Sequence, residues 1–332
     1  MVFEKLGDPQ RRLVVGIGSA LVDMLVHEAD DFIDRTKEAV KGGMTLVDSE
    51  TIDKTVGLAS GKPDVVPGGS ACNTVVGVGN LGGRGRFVGK RGPDELGDFF
   101  EAGLKKHQVE PFLFQAPTPT GRVLSIITPD AERTMLTFLG AAAEMSPEEV
   151  RGGCFKDAAV VHVEGYLLYN RDLLMTAFEE ARRAGACVSL DLASFTVVED
   201  SVDILEDMVD RYVDILIANE DEARAFTGFT DEQKAIESLS TKADLAVLKI
   251  GARGSLIACD GRLTRIEPQG TGTAVDTTGA GDLWAAGFLY GIVNGFSLEK
   301  SGQLGSACGY EVCQVVGAGI PAQGWDRIRA LI

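Results

Sequence analysis

Short apolar runs alternate with helix-length segments through the second half of the chain. The clearest helix is predicted over Arg171–Ala184, where apolar residues recur at helical spacing on one face. Strands are predicted at four apolar runs, Ala159–Val163, Ala186–Leu192, Val213–Ala218 and Leu245–Ile250. Because a helix between two strands returns the chain in the same direction, this alternation predicts an α/β fold, with a parallel-rich central sheet flanked by helices.

The first half begins with another buried strand and then loses its regular pattern. Leu13–Gly18 is an apolar run that ends in glycine, and it predicts a strand. Asp23 follows at the expected carboxyl edge of that strand, where α/β sheets bind their ligands. A turn-forming aspartate and a carboxylate that binds a hydroxyl group both suit this position. Residues 28–66 are mixed, with a short helix predicted over Asp30–Val40 and an edge strand within Gly42–Asp48.

A hairpin is predicted farther along the chain. Two apolar runs, Arg122–Thr128 and Arg133–Phe138, flank Pro129 and Asp130, a pair typical of a tight turn. Arg133 begins the second run. It is either a cation that reaches a phosphate or a solvated arginine of an edge strand, and the sequence favours neither.

The run Asp276–Gly291 carries the strongest chemical signal. The small residues Gly279–Gly281 allow a tight turn, and the small and apolar residues after them predict a buried helix. Backbone N–H groups at such a helix start attract an anion such as phosphate. Asp282 places a carboxylate beside them. This carboxylate suits a base that removes the proton of a hydroxyl attacking a phosphoryl group, and the alternative is an ordinary helix cap.

Composition and charge exclude several classes of function. The chain has 332 residues, of which 45% are hydrophobic and 24% charged, as in ordinary globular proteins. Its 49 acidic and 32 basic residues leave a net charge of −17, which repels nucleic-acid backbones and anionic membranes. We therefore expect neither a nucleic-acid partner nor a membrane partner. No apolar run reaches about 18 residues, so no membrane span is expected either.

Cysteine and histidine content argues against a zinc site. The six cysteines are scattered without a Cys-x-x-Cys pair, and the chain has only three histidines. The cysteines are therefore predicted to be small buried residues. Residues 1–12 are polar and do not resemble a signal peptide. Together these features predict a protein of a reducing, cytoplasmic compartment.

Two nucleotide-binding motifs can be rejected. Gly77–Gly82 has the spacing of the dinucleotide-binding fingerprint, but its glycines end a helix of small residues instead of following a strand. Gly89-Lys90 resembles the end of a Walker A motif, yet Arg84 occupies the place of the first required glycine. A dehydrogenase and a P-loop enzyme are therefore disfavoured.

The Asp276–Gly291 run resembles a signature of the PfkB (ribokinase-like) family of sugar and nucleoside kinases. A second family signature is similar to Gly68-Gly69, Asn73 and the Gly89–Gly97 segment. Within that segment Arg91-Gly92-Pro93 departs from the family pattern, which usually has Val or Ile and then Gly before its aspartate. The resemblance spans nearly the whole chain. It implies one ribokinase-like kinase domain over residues 1–332, with a small β lid built from residues 28–66 and 118–140.

The resemblance also implies roles for individual residues. The resemblance implies that Asp282 is the catalytic base. It also implies that the anion hole is formed by Gly279, Ala280 and Gly281. The substrate-binding candidates are Asp23, Gly68, Gly69, Asn73 and, as a cation of the lid, Arg133. The ATP-binding candidates are Asn219, Lys249, Gly251 and Gly254, while Glu222 is implied to order water around Mg²⁺. Two alternatives remain. Gly68 and Gly69 would only form the turn, and Lys249 would reach solvent.

The implied activity is transfer of the γ-phosphoryl group of ATP to a hydroxyl of a nucleoside or sugar. The implied cofactors are ATP and Mg²⁺, with a monovalent cation such as K⁺ as a further candidate. Stretches such as Gly121-Arg122 and Thr137–Gly140 are similar to the bacterial adenosine kinase branch and favour adenosine as the acceptor. The alternatives are a sugar kinase of the ribokinase or fructokinase type and a sensor without turnover, although Asp282 and Glu222 argue against a sensor. A monomer or a homodimer is expected.

Overall fold

The strands of the protein form two separate sheets. The computed structural model describes residues 6, 8–36, 38–39, 41–130 and 133–332. Its strands are, in chain order, β1 (Leu13–Ile17), β2 (Leu21–His27), β3 (Met44–Leu46), β4 (Asp64–Gly68), β5 (Arg84–Arg91), β6 (Val109–Gln115), β7 (Gly121–Ile127), β8 (Arg133–Phe138), β9 (Ala158–Glu164), β10 (Cys187–Asp191), β11 (Ile215–Asn219), β12 (Leu245–Lys249), β13 (Ser255–Cys259) and β14 (Arg262–Ile266). The larger sheet has nine strands in the order β14-β13-β12-β11-β10-β9-β1-β5-β6, and the smaller has five in the order β3-β8-β7-β2-β4.

Helices connect most of these strands. They are α1 (Asp30–Arg35), α2 (Ser49–Leu58), α3 (Ser70–Asn80), α4 (Glu95–Lys106), α5 (Pro147–Val150), α6 (Arg171–Arg183), α7 (Phe195–Tyr212), α8 (Glu220–Thr227), α9 (Glu232–Ser240), α10 (Ala280–Val293), α11 (Leu298–Val312) and α12 (Ala322–Arg329). Short 3₁₀ helices cover Gly140–Glu144, Gly165–Tyr169 and Gly251–Arg253.

The larger sheet is parallel from β12 through β6 and antiparallel at its β13–β14 edge. Every residue of β1, β9 and β10 is buried. Along β1, Val15 and Ile17 pack into a core with helices α6 to α9, whereas Val14 packs into a second core with α3, α4 and α10 to α12. Helices therefore cover both faces, which explains the continuous apolar runs in the sequence. The predicted α/β fold class is confirmed.

Helix α10 is buried on nearly all sides and packs closely on α11. The backbones approach because glycines face the partner helix. A Cβ added at Gly287 would lie 2.5 Å from the carbonyl oxygen of Leu304, and one added at Gly305 would lie 2.8 Å from that of Trp284. Glycine is required at both positions for this approach. The contact fixes the position of the first turn of α10 relative to the rest of the domain.

The smaller sheet packs one of its faces on α1 and α2. A separate apolar core lies between them, and it includes Val26, Phe32, Ile52, Leu124 and Leu136. The predicted hairpin is present as β7 and β8, which are antiparallel with Arg122 opposite Phe138. The sheet therefore has its own small core.

Asp23 and the start of the smaller sheet differ from the expectation. Asp23 lies inside β2 and not in a loop after β1, and the sheet begins at Leu21, before the expected range 28–66. The chain leaves the larger sheet at Gly18, and Leu21–His27 then pairs with β4 on one side and β7 on the other. Both partners are distant in sequence, so the local pattern did not reveal this strand.

The first predicted helix is shorter than expected. α1 ends at Arg35 and not at Val40, because Thr36 takes an extended conformation and its N–H closes the last turn. Residues 37 and 40 lie outside the described part of the chain. The edge strand predicted within Gly42–Asp48 is present as β3.

The expectations drawn from composition concerned membrane spans and cysteines. None of the helices in the described ranges combines the length and apolar character that crossing a membrane requires. All six cysteines are free, and five of them are buried, as predicted.

Candidate active site

The first turn of α10 is open to a ligand. Gly279 occupies the N-cap position with φ +71°, in the left-handed region, and a Cβ there would lie 2.7 Å from the Cβ of Ala318. Since the N-cap residue has no side chain, no side chain caps this helix. Backbone N–H groups at an uncapped helix start are suited to an anion. The ammonium of Lys249 lies close by, because a Cβ added at Gly281 would be 3.0 Å from its Nζ.

The carboxylate of Asp282 is held by two side chains from the first turn of α3. Ser70 Oγ donates to Oδ1 at 2.7 Å, and Asn73 Nδ2 donates to Oδ2 at 2.9 Å. Thr74 Oγ1 also donates to the main-chain oxygen of Asp282 at 3.1 Å. Burial raises the pKa of Asp282, and the bonds from Asn73 and Ser70 oppose that rise. The side chain therefore does not cap α10, and α3 sets its orientation.

A buried ion pair lies beside this helix start. Lys249, the last residue of β12, donates from Nζ to Asp191 Oδ2 at 2.8 Å, and Asp191 is the last residue of β10. Burial lowers the pKa of Lys249, but the carboxylates of Asp191 and Glu222 more than offset this, and the pKa is raised. The side chain of Lys249 is 13% exposed, so the alternative of a solvated lysine is wrong. Lys249 is a buried cation next to the start of α10.

Asn219 and Glu222 cap the start of α8 reciprocally. Asn219 Oδ1 accepts from the N–H of Glu222 at 2.9 Å, while Glu222 Oε2 accepts from the N–H of Asn219 at 2.7 Å. Glu222 Oε1 also accepts from Asn219 Nδ2 at 2.7 Å. This capping box explains the local spacing of the two residues. Burial raises the pKa of Glu222, which Lys249 opposes, so a buried carboxylate lies near the Lys249 ammonium.

Asp23 and the glycines Gly68 and Gly69 meet where the two sheets come together. A Cβ added at Gly68 would lie 2.4 Å from the Asp23 carboxylate, so glycine leaves the room that this carboxylate occupies. Gly69 has φ +96°, and its Cβ would lie 2.4 Å from the carbonyl oxygen of Ser19. Burial raises the pKa of Asp23 to about 6, with Arg133 opposing the rise and Asp282 adding to it.

Arg133 connects the smaller sheet to the loop that precedes α10. Its Nη1 donates to Thr278 Oγ1 at 2.5 Å, and Thr278 Oγ1 donates in turn to Asp276 Oδ1 at 2.7 Å. The other carboxylate oxygen of Asp276 accepts from the N–H of Gly317 at 2.8 Å. A cavity of about 410 Å³ opens here, lined by Gly42, Arg133 and residues 274–279. Arg133 precedes the residues of β8 that pair with β3, and it is the bond to Thr278 that argues against the alternative of a solvated edge-strand arginine.

Gly251 and Gly254 shape the turn between β12 and β13. Both have positive φ, +56° and +93°, and a Cβ at Gly254 would lie 2.0 Å from the carbonyl oxygen of Ile266. The path of the chain therefore requires glycine at position 254 independently of any ligand. The turn follows Lys249 directly, at the carboxyl end of β12.

Three polar residues that the sequence analysis did not single out belong to the same site. Ser70 and Asp191 bond to Asp282 and Lys249, respectively. Glu164 is buried at the end of β9 and accepts from the N–H groups of Ser19 at 2.8 Å and Ala71 at 3.1 Å. Burial raises the pKa of Glu164 to about 7. Glu164 follows the predicted strand Ala159–Val163, and Asp191 is the acidic residue near the end of the predicted strand Ala186–Leu192. An acidic residue at the end of a buried strand is the signal that could have identified both.

The carboxylates of the site bear on metal binding. Among the residues that the structure describes, no three His, Cys, Asp or Glu side chains are grouped to hold a metal ion. The pKa of Lys249 is nevertheless raised by three carboxylates, those of Asp191, Glu222 and Asp282. Negative charges therefore outnumber the single positive charge of Lys249 in this group. Mg²⁺ needs one or two carboxylates and keeps several waters, so this excess of negative charge is compatible with a Mg²⁺ ion held partly through water.

Comparison with known proteins connects this site to a family. The model described as pfkB family carbohydrate kinase matches residues 41–324. A 5-dehydro-2-deoxygluconokinase of Geobacillus thermodenitrificans is 26% identical over 256 residues, which cover 72% of this chain and 76% of that protein. The sequence relationship therefore extends over most of both chains.

Solved structures give the same relationship at the level of the fold. A probable sugar kinase from Rhizobium etli is 30% identical with a TM-score of 0.89, over 97% of this chain and 100% of that chain. An adenosine kinase from Sinorhizobium meliloti is also 30% identical, with a TM-score of 0.88 over the same shares. The chain therefore belongs to the PfkB family of carbohydrate kinases and is a phosphotransferase that acts on an alcohol group.

Proposed function

We propose that this protein transfers the γ-phosphoryl group of ATP to a hydroxyl group of a nucleoside, with adenosine as the favoured acceptor. The observation that carries the transfer chemistry is the position of Asp282 at the uncapped start of α10. Its carboxylate is aimed by Ser70 and Asn73, and the Lys249 ammonium lies on the same first turn. A base, a set of backbone donors and a buried cation are thus together in one place.

Each of these groups has one task in the proposed reaction. Asp282 removes the proton of the attacking hydroxyl, and its raised pKa makes it a stronger base than an ordinary aspartate. The backbone of Gly279, Ala280 and Gly281 and the Lys249 ammonium stabilise the negative charge on the transferred phosphoryl group. Bound Mg²⁺ neutralises phosphate charge, and Glu222 is the residue proposed to hold it through water.

The remaining candidates are proposed to hold the two substrates. Asp23, Gly68 and Gly69 bind the acceptor sugar, and Asn73 acts on it through Asp282, to which its amide is already bonded. Arg133 approaches the transferred phosphate from the smaller sheet, where it already contacts Thr278. Asn219, Gly251 and Gly254 border the ATP phosphates. The smaller sheet closes over the acceptor as a lid, which excludes water from the transfer.

The face of the smaller sheet that carries Asp23 supports a nucleoside as the acceptor. Cross-strand pairing places Val66 and Val123 beside Asp23, Thr137 beside Val123, and Leu46 beside Thr137, so all lie on one face. The opposite face is covered by α1 and α2. Leu46 is 60% exposed and Met44, in the next row, 45% exposed. A free sugar has little to place on such an apolar surface, whereas a nucleobase buries it favourably.

A sugar acceptor is the second candidate, and the relationship to the Geobacillus gluconokinase supports it. We propose to separate the two by measuring ADP release with ATP and Mg²⁺ across a panel of acceptors. The panel consists of adenosine, guanosine, inosine, ribose, fructose and 2-keto-3-deoxygluconate, with a reaction lacking acceptor as the control.

We expect kcat/KM for adenosine to exceed that for ribose by at least about a hundredfold, because a filled base site contributes several kcal/mol at about 1.4 kcal/mol per tenfold. Comparable values for adenosine and ribose would contradict the nucleoside proposal and leave the kinase activity in place. ADP release no faster than in the control with every acceptor would favour the non-catalytic sensor.

A further inference from the structure

The Lys249–Asp191 ion pair spans the carboxyl ends of three adjacent strands. Lys249 ends β12 and Asp191 ends β10, while β11 lies between them in the sheet. The pair is closed at 2.8 Å, with side-chain exposures of 13% for Lys249 and 5% for Asp191. A buried ion pair contributes little net stability on average, because both charges lose their hydration. Its presence at this edge therefore calls for another explanation.

The carboxylate of Asp191 is also fixed from its other side. Asp191 Oδ1 accepts from the N–H of Ala193 at 3.0 Å, and Ala193 has φ +62°, a strained conformation for a residue other than glycine. Glycine at position 165 leaves room for this turn, since a Cβ there would lie 2.5 Å from the carbonyl oxygen of Leu192. One oxygen of Asp191 thus stabilises a strained turn, and the other holds the lysine.

The held ammonium lies at the start of α10. Its Nζ is 3.0 Å from the position of a Cβ added at Gly281. The charged groups that raise the pKa of Lys249 are Asp191, Glu222 and Asp282, and the Lys249 ammonium in turn helps burial to lower the pKa of His162. Without Asp191, the ammonium is free to move toward Glu222 or Asp282, both of which have other tasks in the proposed reaction.

We infer that Asp191 is a positioning residue, which holds the Lys249 ammonium against the first turn of α10 so that it meets the transferred phosphoryl group there. This inference rests on the proposed phosphoryl transfer. Asp191 itself contacts no reacting atom and acts through Lys249.

A double-mutant cycle tests this coupling. Asp191→Asn keeps the oxygen that accepts from Ala193 and removes the charge that holds Lys249, while Lys249→Met removes the cation. We expect Asp191→Asn to lower kcat by about tenfold to a hundredfold with KM for ATP within about threefold, since the loss falls on transition-state stabilisation. The double variant is expected to be no slower than Lys249→Met within about twofold.

Asp214→Asn is the matched control. Asp214 is also buried and accepts from the N–H of Val188, but it lies at the opposite, amino-terminal end of β11. Its loss is expected to lower the thermal midpoint with kcat nearly unchanged. If Asp191→Asn behaves like Asp214→Asn, or if the effects of Asp191→Asn and Lys249→Met on kcat multiply, the positioning role is overturned.

A second measurement does not depend on activity. In protein labelled with ¹³C at the lysine Cε, the titration midpoint of the Lys249 signal is expected to fall in Asp191→Asn, because the carboxylate that favours the charged form is gone. An unchanged midpoint overturns the inference. A wild-type protein that releases no ADP with any acceptor overturns the proposed function, while the midpoint still decides whether Asp191 holds Lys249.

Discussion

At the scale of single residues, the proposed phosphoryl transfer depends on how Asp282 is held. A helix-start aspartate is usually a cap, but here Gly279 is the N-cap and the Asp282 carboxylate accepts from Ser70 and Asn73. Both donors belong to another helix. The carboxylate is therefore oriented by tertiary contacts and does not cap the backbone N–H groups of its own helix.

Asp282→Asn tests the base directly. Asparagine keeps the size of the side chain and removes its basicity, so we expect kcat to fall by about 10²–10⁴-fold. The affinity for ATP and the thermal midpoint are expected to change little, because the backbone of Gly279–Gly281 is unaffected. Asp207→Asn, on the exposed surface of α7, is the control for the same chemical change. A stable Asp282→Asn protein with most of its activity would exclude this aspartate as the base.

Asn73→Ala tests how the pKa of Asp282 is set. The bond from Asn73 lowers that pKa against the effect of burial, so its removal should raise the pKa further. A base works when deprotonated, and activity is lost as the pH falls through its pKa. The acidic limb of kcat against pH is therefore expected to move to higher pH in Asn73→Ala. A limb that stays in place, or moves to lower pH, would contradict this assignment of Asp282.

At the scale of elements, the proposed preference for a nucleoside acceptor depends on the apolar face of the smaller sheet. β3 contributes Met44 and Leu46 to this face, and Asp23 lies on the same face of β2, three strands away. Each element contributes only one or two residues. The surface exists because β2, β4, β7, β8 and β3 are paired in this order and register.

Leu46→Ser should therefore change the preference between acceptors more than the phosphoryl transfer itself. Loss of an apolar contact to the base is expected to lower kcat/KM for adenosine by about tenfold, since a buried leucine contributes roughly 1.5–3 kcal/mol. The value for ribose is expected to change little. Leu58→Ser is the matched control, because Leu58 is 59% exposed at the end of α2, on the other side of the sheet. Equal losses for adenosine and ribose would contradict a base site on this face.

At the scale of the whole molecule, a polar contact joins the two sheets near the site. The bond from Arg133 to Thr278 connects β8 to the loop before α10. The smaller sheet has its own core with α1 and α2, separate from the two cores of the larger sheet. A sheet with a small core of its own opens at lower free energy than the main domain.

Hydrogen exchange should therefore detect closure of the smaller sheet. Amides of residues 44–46 and 121–127 are expected to exchange more slowly with adenosine bound than without it. Strands β9 and β10, buried in the larger sheet, serve as the internal control and should show equal protection in both states. Equal protection of the smaller sheet with and without acceptor would contradict a closing lid.

Much of the fold and part of the site could be predicted from the sequence. The apolar runs at β1 and β9 to β12 predict buried parallel strands because both faces of the larger sheet are covered, and local periodicity reports burial directly. Gly279 and its neighbours predict a helix start open to an anion, since the tight turn depends on glycine itself. Asp282 could be identified as a candidate base because it lies within that same short run.

Only the tertiary structure decided which groups meet. Asn73 and Asp282 are 209 positions apart, and Asp191 and Lys249 are 58 apart, so no local pattern reports either contact. Asp23 was expected at the carboxyl edge of β1, but pairing with β4 and β7 made its segment a strand of the second sheet. Short-range periodicity determines which residues are buried in each element. The packing of elements distant in sequence determines which buried polar groups face one another, and here that packing forms the site.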